Sequence, residues 1–458
     1  MFFTMVRKEI VSNVLSARFA VTFVLFFGLV LISVFILTND YRMAMDRYNA
    51  SAAAHREDLD EVTKKEQVDE QVSDLLFSKG VYSDRPPKDL SILAKGLEDV
   101  TPTQAHTNMF RARRVNEELY RNPIFSLFST PDFAYIVNIV ISLLALLFVF
   151  DAICGEKERG TLKLTLANPI PRDTILLSKW IGGYVTLLGP FVVAALSGLI
   201  YIRASGAVSL SGDAMGRAIL MFAFSLLYIS LFFALGMMIS TLTHRSSTAL
   251  LISLFVWICW ILVIPNLAPV VAKIASPVPT LQKIEAEKEA VDREIDIRRR
   301  RVSRNMLGYG EEAQKLQDEL DQEQRRRRDK LDDFYNDKIS AQIGISKTIS
   351  RLSPSASFKY ATTELAQTGV TMHDSFKKAY KRFRDEFNSY GEGIQERQRE
   401  DKLSEDWFQP DEVPQLRMFT PTINDTVNMV FVDILLMAIY NALFFITGYV
   451  FFLRYDVR

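Results

Sequence analysis

The chain has 458 residues, 49% of them hydrophobic and 24% charged, with 54 basic against 54 acidic side chains. A net charge of +0 and a pI near 6.9 exclude a global field that would favour nucleic acid. Apolar and charged residues fall in separate blocks, which excludes an ordinary soluble domain and points to a membrane protein with large polar parts.

From the N-terminus, residues 1–18 put Phe2, Val6, Ile10 and Val14 on one helical stripe, with Phe3 and Val11 alongside. Arg7, Lys8 and Ser12 turn elsewhere, the pattern of an interfacial helix lying on a membrane surface. A bilayer core takes about 20 apolar residues in helical form. Six stretches qualify: residues 19–38, 133–153, 180–202, 218–242, 248–271 and 427–453. The first is too long for a secretory signal and lacks its small-residue cleavage site, so it reads as a retained anchor.

Lysines and arginines near the span ends set the orientation. Arg7, Lys8 and Arg18 precede the first span, and Lys157, Arg159, Lys163, Arg172 and Lys179 lie between the second and third. His244 and Arg245 separate the fourth and fifth, while Arg454 and Arg458 follow the sixth. With six spans these sets share one side, which predicts cytoplasmic termini, a cytoplasmic loop at 154–179, a turn at 243–247 and a tail at 454–458. Residues 39–132, 203–217 and 272–426 then lie outside. The arginines of 203–217 run against the rule, whereas a long translocated segment such as 272–426 escapes it. Cys154 and Cys259 both sit at or within apolar runs, so the outer parts fold without disulfides.

The first outer segment predicts a charge-rich helix over Tyr41–Ser78, a stop at Pro86-Pro87, a short strand or extended stretch near Leu90–Leu93 and a second helix over Thr103–Arg121. The second predicts an antiparallel coiled-coil hairpin over 281–343. Leu281, Ile284, Val291 and Ile295 line one arm, Leu316, Leu320, Leu331 and Phe334 the other, and Gly308 and Gly310 supply the turn. Folding about Tyr309 sets Arg299 and Arg300 against Glu319 and Asp318, and Arg326 against Asp292, so the arginine runs read as cross-arm pairing on a solvated stalk; the alternative is an anionic lipid head group or polymer. Phe376, Tyr380, Phe383, Phe387 and Tyr390 form an aromatic stripe that reads as core, or as a contact with lipid or apolar cargo. The fold class is therefore mainly α: a six-transmembrane-helix protein with an N-terminal interfacial helix and a large, mostly helical extracytoplasmic domain.

Catalytic chemistry finds little support. GEKERGT at 155–161 nearly spells G-x-x-x-x-G-K-[ST], but Thr161 stands where the phosphate-binding lysine belongs, a membrane helix precedes it, and Glu156 and Glu158 repel phosphate. The four histidines are scattered and no Cys/His cluster or G-x-S-x-G elbow occurs, so neither a metal site nor a hydrolase is indicated. What remains at 155–180 is a compact elbow suited to press against a partner. At membrane depth, Asn138, Ser142, Ser197, Ser253, Asp433 and Asn441 are candidates for a translocation path, with hydrogen bonding between helices as the alternative.

The stretch FDAICGEKERGTLKLTLANPIPRDTILLSKWIGG resembles the cytoplasmic loop of type-2 ATP-binding-cassette (ABC) exporter permeases. In that loop an acid-x-acid-x-Gly-Thr-Leu motif is followed by a Pro-x-x-Arg turn into a lysine-bearing helix. Here these are Glu156, Glu158, Gly160, Thr161 and Leu162, then Pro169, Arg172 and Lys179. RPPKDLSILAKGLED, NPIFSLF and RLSPSASFKYATTELAQTG are similar to stretches of a subgroup with enlarged extracytoplasmic domains. The resemblance implies a bacterial inner-membrane permease without cofactor of its own, ATP and Mg being bound by a separate ATPase subunit. It implies a second permease chain, identical or related, and coupling to the ATPase through Glu156, Glu158, Gly160, Thr161, Leu162, Leu164, Pro169 and Arg172. Glu156 and Glu158 would pair with basic residues of the partner or with Arg7 or Lys8. The expected function is export of an amphiphile such as a lipid or peptide, with a periplasmic accessory protein as a further partner and no nucleic acid. The alternative is a membrane-anchored protein that transmits ATPase motion through the hairpin without transport; a passive channel ranks third, since nothing resembles a filter.

Overall fold

The computed structural model describes residues 2–64, 68–109, 131–167, 169–208, 212–305, 311–399 and 408–455. Contacts divide the chain into two compact units, Met1–Val263 with Ser353–Arg458, and Ile264–Leu352.

The first unit begins with α1 (Phe2–Val14) and α2 (Ala17–Lys64). α2 carries the first apolar stretch and its charge-rich continuation as one uninterrupted 48-residue helix, since no Gly or Pro breaker follows residue 38 until Gly80. Next come α3 (Val68–Asp74), a π turn at Leu75–Lys79, β1 (Val81–Asp84), a 3-10 turn at Asp89–Ile92 and β2 (Gln104–Thr107). β1 and β2 pair antiparallel, with Val81 opposite Thr107 and Asp84 opposite Gln104.

Two local expectations are corrected here. Leu90–Leu93 is neither a strand nor an extended stretch: Leu90, Ser91, Ile92 and Leu93 are all buried, and the 3-10 turn over Asp89–Ile92 turns consecutive residues inward where an alternating strand could not. The start of the predicted helix Thr103–Arg121 is strand β2, because Ala105 and Thr107 are buried while Gln104 is exposed; residues 110–121 of that expectation lie outside the described residues.

The second apolar stretch is α4 (Phe133–Tyr135), a π turn at Ile136–Ile141 and α5 (Ser142–Val149), leading to α6 (Cys154–Glu158) and α7 (Thr161–Ala167). α8 (Arg172–Ser205) and α9 (Gly212–Leu242) follow. α10 (Ser246–Ile258) continues through a π turn at Cys259–Val263 into α11 (Ile264–Ala275). With α16 (Ile423–Leu453) these supply six helices long and apolar enough to cross a membrane: Ala17–Val62, Phe133–Glu158, Arg172–Ser205, Gly212–Leu242, Ser246–Ala275 and Ile423–Leu453. The mainly helical, six-helix expectation is met.

α9 is the hub, with Tyr228, Ile229, Leu231 and Phe232 fully buried. Gly236 lets α5 approach: a Cβ there would stand 2.4 Å from the Val149 side chain. Gly182 does the same for α1, since its Cβ would meet Glu9 at 2.7 Å.

α14 (Pro354–Leu365) is buried at every one of its 12 positions. Its Phe358 stacks on Tyr228 at 4.3 Å, and Ser353 donates to the carbonyl that the π turn frees at Trp260. α15 (Val370–Arg399) then builds a second core, in which Phe376, Tyr380, Phe383 and Phe387 pack with Leu59, Val62, Val72 and Leu76. The aromatic stripe is core, as its helical spacing suggested.

The second unit contains α11, α12 (Leu281–Asn305) and α13 (Glu311–Ser350). α12 and α13 pack along a narrow apolar seam of Val291, Ile295 and Leu320. The turn glycines Gly308 and Gly310 lie outside the described residues. Arg328 meets Asp292 at 2.9 Å, Arg327 meets Glu294 at 2.9 Å, and Arg299 bonds Asp321. Cross-arm pairing is therefore present, but about one residue per arm beyond a fold centred on Tyr309: Arg299 meets Asp321, not Glu319 or Asp318, and Asp292 is held by Arg328, not Arg326.

Candidate coupling site and the membrane-depth polar network

The segment between the second and third candidate spans is tied down through four of its charged side chains, Glu156, Lys157, Glu158 and Arg172. Glu156 accepts from Lys179 at 2.7 Å, and the same ammonium reaches Glu9 of α1 at 3.3 Å. Lys179 is nearly buried, so two carboxylates around one cation fasten α1, α6 and α8 together. Within this chain, the expected contact of Glu156 with Arg7 or Lys8 of the interfacial helix is thus replaced by Lys179, because α1 turns Glu9 and not its basic residues toward α8.

Glu158 accepts from both the backbone N–H and the hydroxyl of Ser246, at 3.0 and 2.8 Å, and so caps the N-terminus of α10. Its neighbour Lys157 does the converse at α9, donating to the carbonyl oxygens of Thr241 and, at 3.1 Å, Thr243 just past the helix end. Arg172 donates to the carbonyls of Leu453 and Tyr455, both at 2.8 Å, closing the C-terminus of α16.

α7 lies inside this frame. Leu162 is buried at 1% exposure, whereas Thr161, Lys163 and Leu164 are exposed, Leu164 at 71%. Gly160 has φ +75°, a left-handed conformation that glycine adopts without strain, and this sets α6 and α7 at an angle. Pro169 is exposed, three residues before the start of α8. Of the predicted coupling residues, the structure gathers Glu156, Glu158 and Arg172 into bracing contacts and leaves Thr161 and Leu164 outward on a short helix.

The membrane-depth candidates divide. Tyr228 donates to the Asn138 side chain at 2.6 Å, Ser142 donates to the Asn138 carbonyl at 2.5 Å, and Trp257 donates to Ser142 at 2.9 Å. These four residues join the second, fourth and fifth candidate spans. Asn441 bonds α9 instead, through the Leu227 carbonyl at 3.3 Å and Ser230 at 3.4 Å. Ser197 is half-buried, Asp433 is fully buried, and the buried Ser253 hydroxyl has no hydrogen-bond partner among the described residues.

Sequence reasoning missed Lys359. Its ammonium meets Asp132 at 3.2 Å, with the side chains 1% and 0% exposed. Asp132 also accepts from the Lys95 backbone at 2.8 Å and caps α4 through Tyr135 at 2.6 Å. The available signal was a lysine within SASFKYATT, whose small residues allow close packing, but nothing in the sequence names the acid 227 positions away. Arg217, which ran against the charge rule, is buried and bonded to Asp213, Thr426 and the Pro421 carbonyl. Among the described residues no three His, Cys, Asp or Glu side chains gather so as to hold a metal ion.

With this geometry in hand, the comparisons are specific. The sequence matches the family described as ABC-2 family transporter protein over residues 3–457. The chain belongs to the ABC-2 transporter family. It is a multi-pass membrane permease subunit, and permeases of this family lack the ATPase, which is a separate subunit. The chain is also similar to the probable ABC transporter permease protein NosY of Stutzerimonas stutzeri, 33% identical over 136 residues, or 28% of this chain and 47% of that protein. NosY of Pseudomonas aeruginosa is 36% identical over 132 residues, or 28% and 46%. The match spans about half the length of each of these relatives.

Proposed function

We propose that this ABC-2 permease couples to its ATPase through α7 and exports an amphiphile, a lipid or a peptide, from the cytoplasmic side of a bacterial inner membrane. Two permease chains, identical or related, bind two ATPase subunits; α1, α6, α7 and the termini face the cytoplasm, and the segments 39–132 and 272–426 face outward. ATP and Mg sit in the partner.

The observation that carries this reading is the braced frame around α7. A helix with one side chain sunk inward and four turned out, flanked by caps on α9, α10 and α16, passes a push to several spans at once. A push on Thr161–Ala167 moves α8 directly, through a connection of four residues, and reaches α9, α10 and α16 through Lys157, Glu158 and Arg172. Replacing Thr161–Leu164 by glycines in the purified permease–ATPase complex should leave basal ATP hydrolysis in place and abolish its stimulation by substrate. Stimulation at the unmodified level would refute the coupling role.

One observation favours a second reading, in which force and not cargo is delivered. α2 packs along α8 and extends without a break to Leu59 and Val62 in the second core, so a displaced α8 carries that core with it. Under this reading, deletion of residues 281–343 abolishes function while Asn138 and Asn441 tolerate apolar replacement; loss of transport on Asn138→Leu decides against it.

A further inference from the structure

The ion pairs of the hairpin define two flanks. Glu294, Arg298, Glu323 and Arg327 bridge the arms on one side, and Asp292, Arg299, Asp321 and Arg328 bridge them on the other. The arms keep a constant register, as one number rises and the other falls from Lys288–Asp332 through Asp292–Arg328 to Arg299–Asp321. With 3.6 residues per turn, the first flank also carries Lys283, Ala290, Ile297 and Arg301 on α12, and Glu319, Lys330, Phe334 and Asp337 on α13.

This flank has three properties that the seam does not explain. Ile297 and Phe334 are large apolar residues 54% and 48% exposed on otherwise charged helices. Lys283, Arg301, Glu319 and Asp337 are exposed and carry no ion pair among the described residues. Finally, the register sets opposite kinds at the same height: Lys283 with Asp337, Ala286 and Ala290 beside Phe334 and Lys330, and Arg301 with Glu319.

We propose that this flank is the contact surface for the hairpin of a second, identical copy. A two-fold axis parallel to the two arms holds both copies at equal height. It lays α12 of one against α13 of the other twice over, making a four-helix bundle with an isologous interface. At equal height Phe334 of one copy covers the small side chains of Ala286 and Ala290 in the other, Lys283 meets Asp337, and Arg301 meets Glu319. The same axis keeps the two α12 helices diagonal, so Arg301 does not face its own copy. A partner of uniform acidity would satisfy Arg301 and Lys283 but would oppose Glu319 and Asp337, which is why a self-complementary surface fits better.

This pairing rests on the two-permease reading above, and the test separates the two. Chains with Cys154 and Cys259 replaced by alanine, one carrying Ala290→Cys and the other Lys330→Cys under different tags, are co-expressed and oxidised in native membranes. The proposal expects a disulfide between the two tags and none between two Ala290→Cys chains. Arg301→Glu and Glu319→Arg should each lower the cross-linked fraction roughly twofold to fivefold, as expected for an exposed pair, and their combination in one chain should restore it. The mass of the purified complex by light scattering counts permease chains independently. Two copies without cross-link or rescue would overturn the hairpin contact alone; one copy would overturn the two-permease reading as well.

Discussion

Lys359 and Asp132 meet at 3.2 Å with side chains 1% and 0% exposed, whereas Arg299 and Asp296 in the hairpin meet at 3.0 Å at 38% and 50%. The distances are nearly equal and the consequences are not. Deep in the first unit a buried charge has no water to fall back on, and three such cations each have a built partner: Lys359 with Asp132, Arg217 with Asp213, Thr426 and Pro421, Arg85 with Glu98. In the hairpin the charges are interchangeable, and their sum sets register and solubility more than any single pair sets stability. Buried polar residues in the first unit hold specific helices together, while the exposed pairs of the hairpin lie within and between its two arms.

The sharpest way to break this comparison is to remove one member of the buried pair. Lys359→Met or Asp132→Asn alone should destabilise the folded protein by about 3–5 kcal/mol, read as a fall in thermal midpoint in detergent, and the double variant should recover much of the loss. Equal loss in single and double variants would show that the pair is not what holds α14 in place. Next in size, Tyr228→Phe removes the donor that Asn138 accepts and should cost about 1–3 kcal/mol in the same assay. If transport per folded molecule is unchanged, the Asn138–Ser142–Trp257 network is helix glue; a selective loss of transport assigns it to the path.

Arg328→Ala in the hairpin should cost only about 0.2–1 kcal/mol, because Asp292 left behind is still wetted. The smallest effect concerns pH. The hydrogen bond from Arg327 holds the Glu294 carboxyl below its ordinary 4.5. A depressed carboxylate stabilises the fold above the unfolded value and loses that contribution as pH falls through the folded one. Acid titration from pH 5 downward should therefore weaken the wild-type hairpin slightly more than Glu294→Gln, seen as a small shift in helical signal.

Much of the architecture was legible because it depends on one-dimensional patterns. Six apolar runs of bilayer length, the heptad-like spacing of Ile284, Val291 and Ile295, and the stripe Phe376–Phe387 each follow from period and length. The short stretch Leu90–Leu93 was not legible because four residues are too few to carry a period, and burial of all four selected a 3-10 turn. At the elbow, the residue types were readable but their partners were not. Glu156 asked for a cation, and Lys179 was already in view, but only the packing of α1 across Gly182 brought Glu9 to the same ammonium.

The sequence alone therefore determined which segments are long and apolar enough to cross a membrane, which two helices pack as a hairpin, and that GEKERGT lacks the lysine of a nucleotide loop. These rest on composition and local spacing, which folding does not alter. The tertiary structure decided where charge is placed. Lys359 finds Asp132, Arg172 finds the end of α16, and the hairpin's register settles one residue per arm past Tyr309, because hydrogen bonds and ion pairs act over a few ångströms between residues that chain order holds far apart.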